Sequence, residues 1–354
     1  MRIMTRTGSE EAFQELDDAS RRVPPSQGDL SAFLRSEIFP RLDMAQWVDI
    51  LLQGIPRGRA VTFGALATAL GAPRGARAIG ELISSGSLKG PFHRIVFADR
   101  TVPPPSAEVL GGEMGLVSTG GRLKVPEGTL AGPLAVEAPP FVSLARVQTS
   151  MARFVKEEEM GEVRTVAGLD ISTSSDVSVA AMSCMDLSGR DIGRIGLKGA
   201  RPMPYVGGFL FYCEAPLLMD LMDRAFHKGL LDREALIVLD GNGTIHPRRM
   251  GIACQIGAAM DLRTCGAAKK LLTGRIGDWK ADQNAGRYAP VMDEDEVIGY
   301  ALMNGRRSKV YVSRGHRTNN EDVRTIVSRL RVHNVPEPTR RAHMLSNELR
   351  RSET

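Results

Sequence analysis

Two kinds of hydrophobic pattern divide the chain. From Met44 the stretch MAQWVDILLQGIP places Trp47, Ile50, Leu51 and Ile55 near one face, which predicts an amphipathic helix. FGALATALGAPRGARAIGELI then reads as two short helices around a Gly-Ala-Pro-Arg-Gly turn, the grammar of a helix-turn-helix. SLARVQTSMARFVKEE predicts one more helix. Beyond it, TVAGLDIS, VSVAAMSCMDL, GGFLFYCE, ALIVLDGNG, EVIGYALM and KVYVSRG are short apolar runs, each predicted as a strand, with helical stretches between some of them. The early runs follow one another directly and the later ones alternate with helices. The expected fold class is therefore α/β: a small helical N-terminal domain, then a C-terminal mixed sheet flanked by helices.

Boundaries follow from the same pattern. Residues 1–43 are polar and broken by VPPSQG, and predict an extension with a short helix and a loop. The first domain is expected over 44–128. A Gly/Pro-rich linker, TLAGPLAVEAPPF, covers 129–141, and the second domain runs over 142–354.

A length of 354 residues suits two domains, and 42% hydrophobic residues suffice for two cores. The net charge of +5 is compatible with nucleic acid and equally with an ordinary soluble enzyme. No apolar run is long enough to span a bilayer, and the N-terminus lacks the apolar core of a signal peptide. A cytoplasmic protein without a membrane partner is expected. Cys184, Cys213, Cys254 and Cys265 form no metal-binding spacing and read as buried free thiols of a reducing compartment. None lies in the first 150 residues.

Candidate chemistry changes this picture. Asp170 follows TVAGL, Asp240 follows ALIVL and Glu214 follows GGFLFYC, so three acids are predicted at or near strand ends. An Asp after a strand is often a turn or cap residue. If neighbouring strands bring the three together, their repulsion calls for a divalent cation, and hard oxygen ligands suit Mg²⁺ or Mn²⁺. Such an ion activates water and stabilises charge on a phosphoryl oxygen. Beyond Asp240, the Gly-Asn-Gly turn lets backbone approach a ligand, His246 supplies a titratable ring, and Arg248 and Arg249 supply phosphate contacts. Lys269, Lys270 and His316 add further candidate cations or proton carriers.

Together VAGLDIS, PYVGGFLFYCEAP, LDGNGTIHPRRMGIA, GAAKKLL, VIGYAL, YVSRGHR and PEPTRRAH make the second half resemble endonuclease V, a nuclease of the ribonuclease-H-like fold. The resemblance covers nearly all of residues 142–345. It implies Mg²⁺-dependent nicking of double-stranded DNA, with Mn²⁺ able to substitute, at the second phosphodiester 3′ to a deaminated base, chiefly deoxyinosine. It makes Asp170, Glu214 and Asp240 the metal ligands and puts His246, Lys269 and His316 at active-site positions. Pro204 and Tyr205 match a wedge pressed into the duplex. The backbone of Gly241–Gly243 and of 266–268 is implied to help form the lesion pocket. Two residues depart from the family pattern: Gly207 replaces the last proline of the wedge, and Cys213 replaces an arginine before the glutamate.

IPRGRAVTFGALATALGAPRGARAIGELI followed by PFHRIV, over roughly 44–128, resembles the DNA-binding domain of O6-alkylguanine-DNA alkyltransferases. Phe92 stands where those enzymes carry the alkyl-accepting cysteine, so no thiolate is available and no alkyl transfer is expected. The pattern is closer to the alkyltransferase-like proteins, which bind O6-alkylguanine without repairing it. The resemblance implies that Arg77 fills the place of a flipped base, with Phe63 at the position of a phosphate-rotating tyrosine and Phe92 lining the base pocket. His93 and Arg94 are retained, and Glu127 matches a later glutamate. The expected partner is DNA with deaminated or alkylated bases, bound by a monomer. Three alternatives stay open: a non-specific DNA clamp in the first half, a lesion-binding scaffold with weak or no nuclease activity, and a ribonuclease acting on inosine in RNA.

Overall fold

The computed structural model describes residues 11–119, 121–174, 177–282, 286–304, 308–331 and 335–352. The first ten residues of the expected extension lie outside the described residues. The chain separates into two compact units. One comprises residues 1–22, 37–147 and 202–207, and the other comprises 23–36, 148–201 and 208–354. Among the described residues no helix is long and apolar enough to cross a membrane.

Along the chain, α1 (Glu11–Ser20), α2 (Leu30–Phe33) and α3 (Met44–Gln53) precede β1 (Val61–Thr62), α4 (Phe63–Ala69), α5 (Ala76–Ser84), β2 (Ile95–Val96), α6 (Ala107–Met114) and α7 (Pro140–Met151). The helix predicted from Met44 is α3, capped by Asp43, whose side chain accepts from the Gln46 N–H. Its apolar face buries Trp47, which meets Phe141 of α7 edge-on, with ring centroids 5.7 Å apart. The helix-turn-helix is α4 and α5, with Thr62 capping α4 through the Ala65 N–H. Gly71, at φ +85°, makes the turn between them possible. The parallel pair β1–β2 sets Val61 against Ile95 and Thr62 against Val96.

The stretch read as a linker is instead woven into this first unit. Ala60 N–H donates to the Thr129 carbonyl, Ala131 N–H donates to Ala60, and Phe141 is fully buried. An apolar anchor and a short backbone ladder outweigh the Gly/Pro composition.

The second unit holds β3 (Thr165–Thr173), β4 (Ser178–Asp186), β5 (Asp191–Gly199), α8 (Leu210–His227), β6 (Leu236–Leu239), α9 (Ile252–Met260), β7 (Thr264–Ala268), β8 (Arg275–Ile276), β9 (Lys280–Asp282), β10 (Gly286–Asp293), β11 (Glu296–Asn304), β12 (Ser308–Arg314), α10 (Asn320–Arg329) and α11 (Glu337–Arg351). The sheet order is β5-β4-β3-β6-β7-β12-β11-β10-β8, with β9 on β10. Its centre, β3-β6-β7, is parallel and its flanks are antiparallel. Parallel strands buried on both faces read as continuous apolar runs, as LIVL in β6 does.

One predicted strand is a helix. GGFLFYCE enters α8, because Phe211, Tyr212, Ala215, Leu218 and Leu221 continue a helical stripe past the short apolar run. The N-terminal extension is divided as well. Residues 23–36 belong to the second unit, where Arg35 pairs with Asp220 and Asp223 of α8.

Candidate active site

The parallel register places the two aspartates side by side. Leu169 of β3 faces Leu239 of β6, so the next residues, Asp170 and Asp240, occupy neighbouring positions where that pairing ends; Asp170 is not at a strand end as expected, because β3 continues against β4 to Thr173. Glu214 comes from the first turns of α8, so its backbone is helical and not at a strand end. All three acids line one small cavity of about 70 Å³, closed by Leu169, Leu218, Leu239 and Ile252. Asp240 also borders a cleft of about 470 Å³, lined with Lys269, Lys309, Arg340 and His343.

Glycines set how closely these parts approach. A methyl group on Gly168 would stand 2.1 Å from the Pro338 carbonyl carbon, so only glycine lets the start of α11 rest on β3. That approach carries His343 and Ser346 of α11 onto Asp170. The Ser346 hydroxyl donates to Asp170 Oδ2 at 2.8 Å, and His343 Nδ1 lies 3.1 Å from the same oxygen. Gly243 and Gly266 are packed against the protein's own backbone, at Arg314 and Gly241. The Gly-Asn-Gly turn thus serves strand packing in this structure, and the space its glycines leave is already filled.

The electrostatics are those of an incomplete site. Burial pushes Glu214 up to about 8, and the charges of Asp240 and Asp170 add to the shift while Arg201 opposes it. Glu214 keeps part of its surface on the cavity, yet protein surrounds it deeply enough for burial to be the main cause. Asp170 is also raised, first by burial; the Ser346 bond opposes that, and the charge of Asp240 reinforces it. Asp240 is held by Lys269, Nζ to Oδ2 2.8 Å. That bond raises the Lys269 pKa despite the opposing effect of burial.

The polar side chains that line the cavity are all carboxylates, the donor type that hard divalent cations take, and their mutual repulsion is what such a cation relieves. The set therefore fits a divalent ion in donor chemistry and in charge. As the side chains stand, no group of three or more His, Cys, Asp or Glu among the described residues is arranged to hold a metal ion. Lys269 holds the Oδ2 of Asp240, so a cation in the cavity would take Oδ1 or displace Lys269.

The histidines differ from expectation. His246 is buried, with Nδ1 accepting from the Arg248 N–H at 3.2 Å and Nε2 3.1 Å from the Gly208 carbonyl. Burial and the Arg248 charge hold its pKa down to about 4, so the ring is neutral at pH 7 with its proton on Nε2. Arg248 itself is tied to Gln148 and to the Gly208 carbonyl and lies over Phe209, and Arg249 pairs with Asp293 and Glu296.

His316 is not beside the acids. Arg314 of β12 registers with Cys265 at the start of β7, whereas Lys269 follows the end of β7. His316 therefore sits at the opposite end of the sheet, fully buried, bonded to Asp261 and Gln27. The histidine that reaches the acids is His343. PEPTRRAH belongs to the matched motifs, and the i, i+3 spacing of His343 and Ser346 on a helix was the signal that could have found it.

The endonuclease V family model matches residues 148–344. The chain belongs to the endonuclease V family.

Endonuclease V from Ignicoccus hospitalis is 35% identical over 212 residues, which are 59% of this chain and 94% of that protein. The crystal structure of endonuclease V from Streptomyces avermitilis superposes with a TM-score of 0.53 at 30% identity, covering 59% of this chain and 93% of that one. Endonuclease V from Ciona intestinalis, crystallised with a 24mer DNA containing an inosine followed by a ribo-adenosine, shares the fold at TM-score 0.54 and 21% identity, over 60% of this chain and 99% of its own. A second model, the DNA-binding domain of 6-O-methylguanine DNA methyltransferase, matches residues 43–113. The chain is thus a fusion of an alkyltransferase-type DNA-binding domain with an endonuclease V domain. Membership makes it a DNA-repair endonuclease, a metal-dependent nuclease and a DNA-binding protein.

In the DNA-binding domain Phe92 opens a short 3₁₀ turn ending at Arg94 and is 36% exposed. Arg77 is exposed near the start of α5. Phe63 stacks on Phe97 with centroids 5.4 Å apart, and Phe97 is an exposed aromatic that the motif comparison passed over. His93 Nε2 and Arg94 both meet Glu113, at 3.0 Å and 2.8–2.9 Å. Glu127, the match to the family's later glutamate, pairs with Arg100 at the surface. Tyr205 is half exposed and Pro204 buried, in the 202–207 segment that groups with the first unit.

Proposed function

We propose that the chain nicks double-stranded DNA at the second phosphodiester 3′ to a deaminated base, chiefly deoxyinosine, and that its first unit reads O6-alkylguanine without repairing it. What carries the nuclease reading is the meeting of Asp170, Glu214 and Asp240 on one cavity that opens at Asp240 toward a cation-lined cleft. Asp170, Glu214 and Asp240 would hold Mg²⁺, which when bound activates water and stabilises charge on the phosphoryl oxygen. Ser346 and His343 orient the Asp170 carboxylate. Lys269 holds Asp240 and, once released, offers its ammonium to a phosphate in the cleft. Neutral His246 fixes the turn after Asp240, and Arg248 and Arg249 would meet phosphate only by leaving their present partners. Pro204 and Tyr205 would wedge the duplex open. The inosine-containing DNA bound by the Ciona relative supports the choice of lesion.

For the first unit, the absence of a thiol at Phe92 favours reading over repair, and the Phe63–Phe97 pair and the exposed Arg77 each suit stacking on an unpaired base. The test is nicking of an inosine duplex in Mg²⁺ by wild type and Asp170→Ala. Nicking two phosphodiesters 3′ to the lesion, lost in the variant, is expected. Equal cutting by both would remove the site assignment. Binding to O6-methylguanine duplex against unmodified duplex at fixed salt tests the reader, and equal affinity would leave only a clamp.

A further inference from the structure

A cationic row on the nuclease unit is used by nothing described so far. Lys309 of β12 and Arg287 of β10 both register with Met303 of β11, so the two lie on the same face, one strand to either side. Trp279, just before β9, lies between them: the Arg287 guanidinium carbon is 5.7 Å and the Lys309 ammonium 5.6 Å from its ring centroid. Both cations are exposed, and neither has a carboxylate partner among the described residues. Elsewhere on this unit the arginines over acids are paired, as Arg249 and Arg317 are. Lys309 also lines the cleft that contains Asp240, Lys269 and His343, so the row begins at the acids and leads away from them.

Two unpaired cations gathered by one aromatic ring form a preorganised anion site, since the ring's attraction offsets their mutual repulsion. Extended over neighbouring strands and opening from a nuclease cleft, the site suits consecutive phosphates of one strand.

We infer that Arg287, Trp279 and Lys309 form a phosphate clamp that holds the backbone of the DNA strand leaving the acid cleft. The clamp sets substrate affinity and takes no part in bond cleavage; it rests on the nuclease reading above. Arg287 and Lys309 contact phosphate directly, and Trp279 is a positioning residue that keeps the two cations together.

The experiment uses full-length protein and an inosine-containing duplex, read by single-turnover nicking in Mg²⁺ and by metal-free binding across a salt series. The double variant Arg287→Ala/Lys309→Ala is expected to raise the half-saturating protein concentration about tenfold. It should also lower the slope of log affinity against log salt by about 2, because each phosphate contact contributes roughly 0.9. The rate at saturation should stay within about twofold of wild type. Trp279→Leu keeps both charges and should raise half-saturation about threefold with the slope retained. Arg233→Ala, whose guanidinium lies over Phe226 of α8, is the control and should change neither. Wild-type slope and half-saturation in the double variant, or a loss confined to the saturated rate, would overturn the clamp; unchanged half-saturation in Trp279→Leu would remove the ring's part. The metal-free slope is read whether or not nicking occurs. Absent nicking with a lowered slope would therefore sink the nuclease reading alone, and Asp170-dependent nicking with an unchanged slope would sink the clamp alone.

Discussion

Glu113 in the first unit and Glu214 in the nuclease unit are both largely enclosed acids, and their pKa values move in opposite directions. Glu113 is pulled down to about 2, chiefly by its bonds to Arg94, with His93 adding to them against the cost of burial. Glu214 is pushed up to about 8 by burial and by the neighbouring acids. The first acid is compensated and holds a loop: it ties the 3₁₀ turn of Phe92–Arg94 to α6. The second is uncompensated, the condition that a cation from outside would relieve. The lesson is that enclosed charge separates into scaffold and site according to whether its partner is already present. In the first unit that scaffold carries Phe92 at the start of the turn.

The comparison predicts opposite trades between activity and stability. The largest effect is expected for Glu214→Gln, which removes a metal ligand while keeping its shape. Nicking should fall by about 10³-fold, since the stabilisation at stake is several kcal/mol, while the melting temperature stays equal or rises. A clear loss of stability with activity retained would break the comparison.

Glu113→Gln should do the reverse, leaving nicking intact and costing on the order of 3 kcal/mol of stability at pH 7. The folded pKa is depressed, so this contribution is fully present above the ordinary carboxylate value of 4.5 and is lost as pH falls toward about 2. Melting curves of the two proteins should therefore converge between about pH 4.5 and pH 2, and a gap that persists at pH 2 would count against the ion pair as its cause.

Gly168→Ala tests whether close approach of α11 supports the acids. Overpacking there should cost about 1–3 kcal/mol and lower nicking by displacing Ser346 and His343 from Asp170. Unchanged nicking would show that α11 does not position the carboxylate. The smallest effect is expected for Arg77→Ala, which should lower affinity for O6-methylguanine duplex about tenfold, with a lesser change on unmodified duplex; equal losses on both would reduce the first unit to a clamp.

Much of this was legible in the chain. ALIVLD places Asp240 just past the end of β6, but TVAGLD does not mark a strand end, because β3 runs on through Asp170 to Thr173 against β4; the adjacency of the two acids followed once β3 and β6 paired in parallel. The helix from Met44 and the helix-turn-helix carried their own caps and turn glycine. Glu214 was harder, because a short apolar run has no period of its own and only the residues after Pro216 reveal the helix. Strand β5, DIGRIGLKG, was passed over because its polar and glycine residues hide an edge strand. His316 and His343 were exchanged for a physical reason as well. Which histidine meets the acids depends on the direction of β12 against β7 and on how closely α11 approaches Gly168, and neither is written in local sequence. Glu113 was missed for the same reason: its partnership with Arg94 spans nineteen residues of loop and helix.

The nuclease reading needs Asp170, Glu214 and Asp240 to share one hard cation. Crystals soaked in Mn²⁺ test it most directly through the anomalous signal. A peak is expected within ligating distance of all three carboxylates. A peak elsewhere, or a cavity that stays empty, would overturn the nuclease reading.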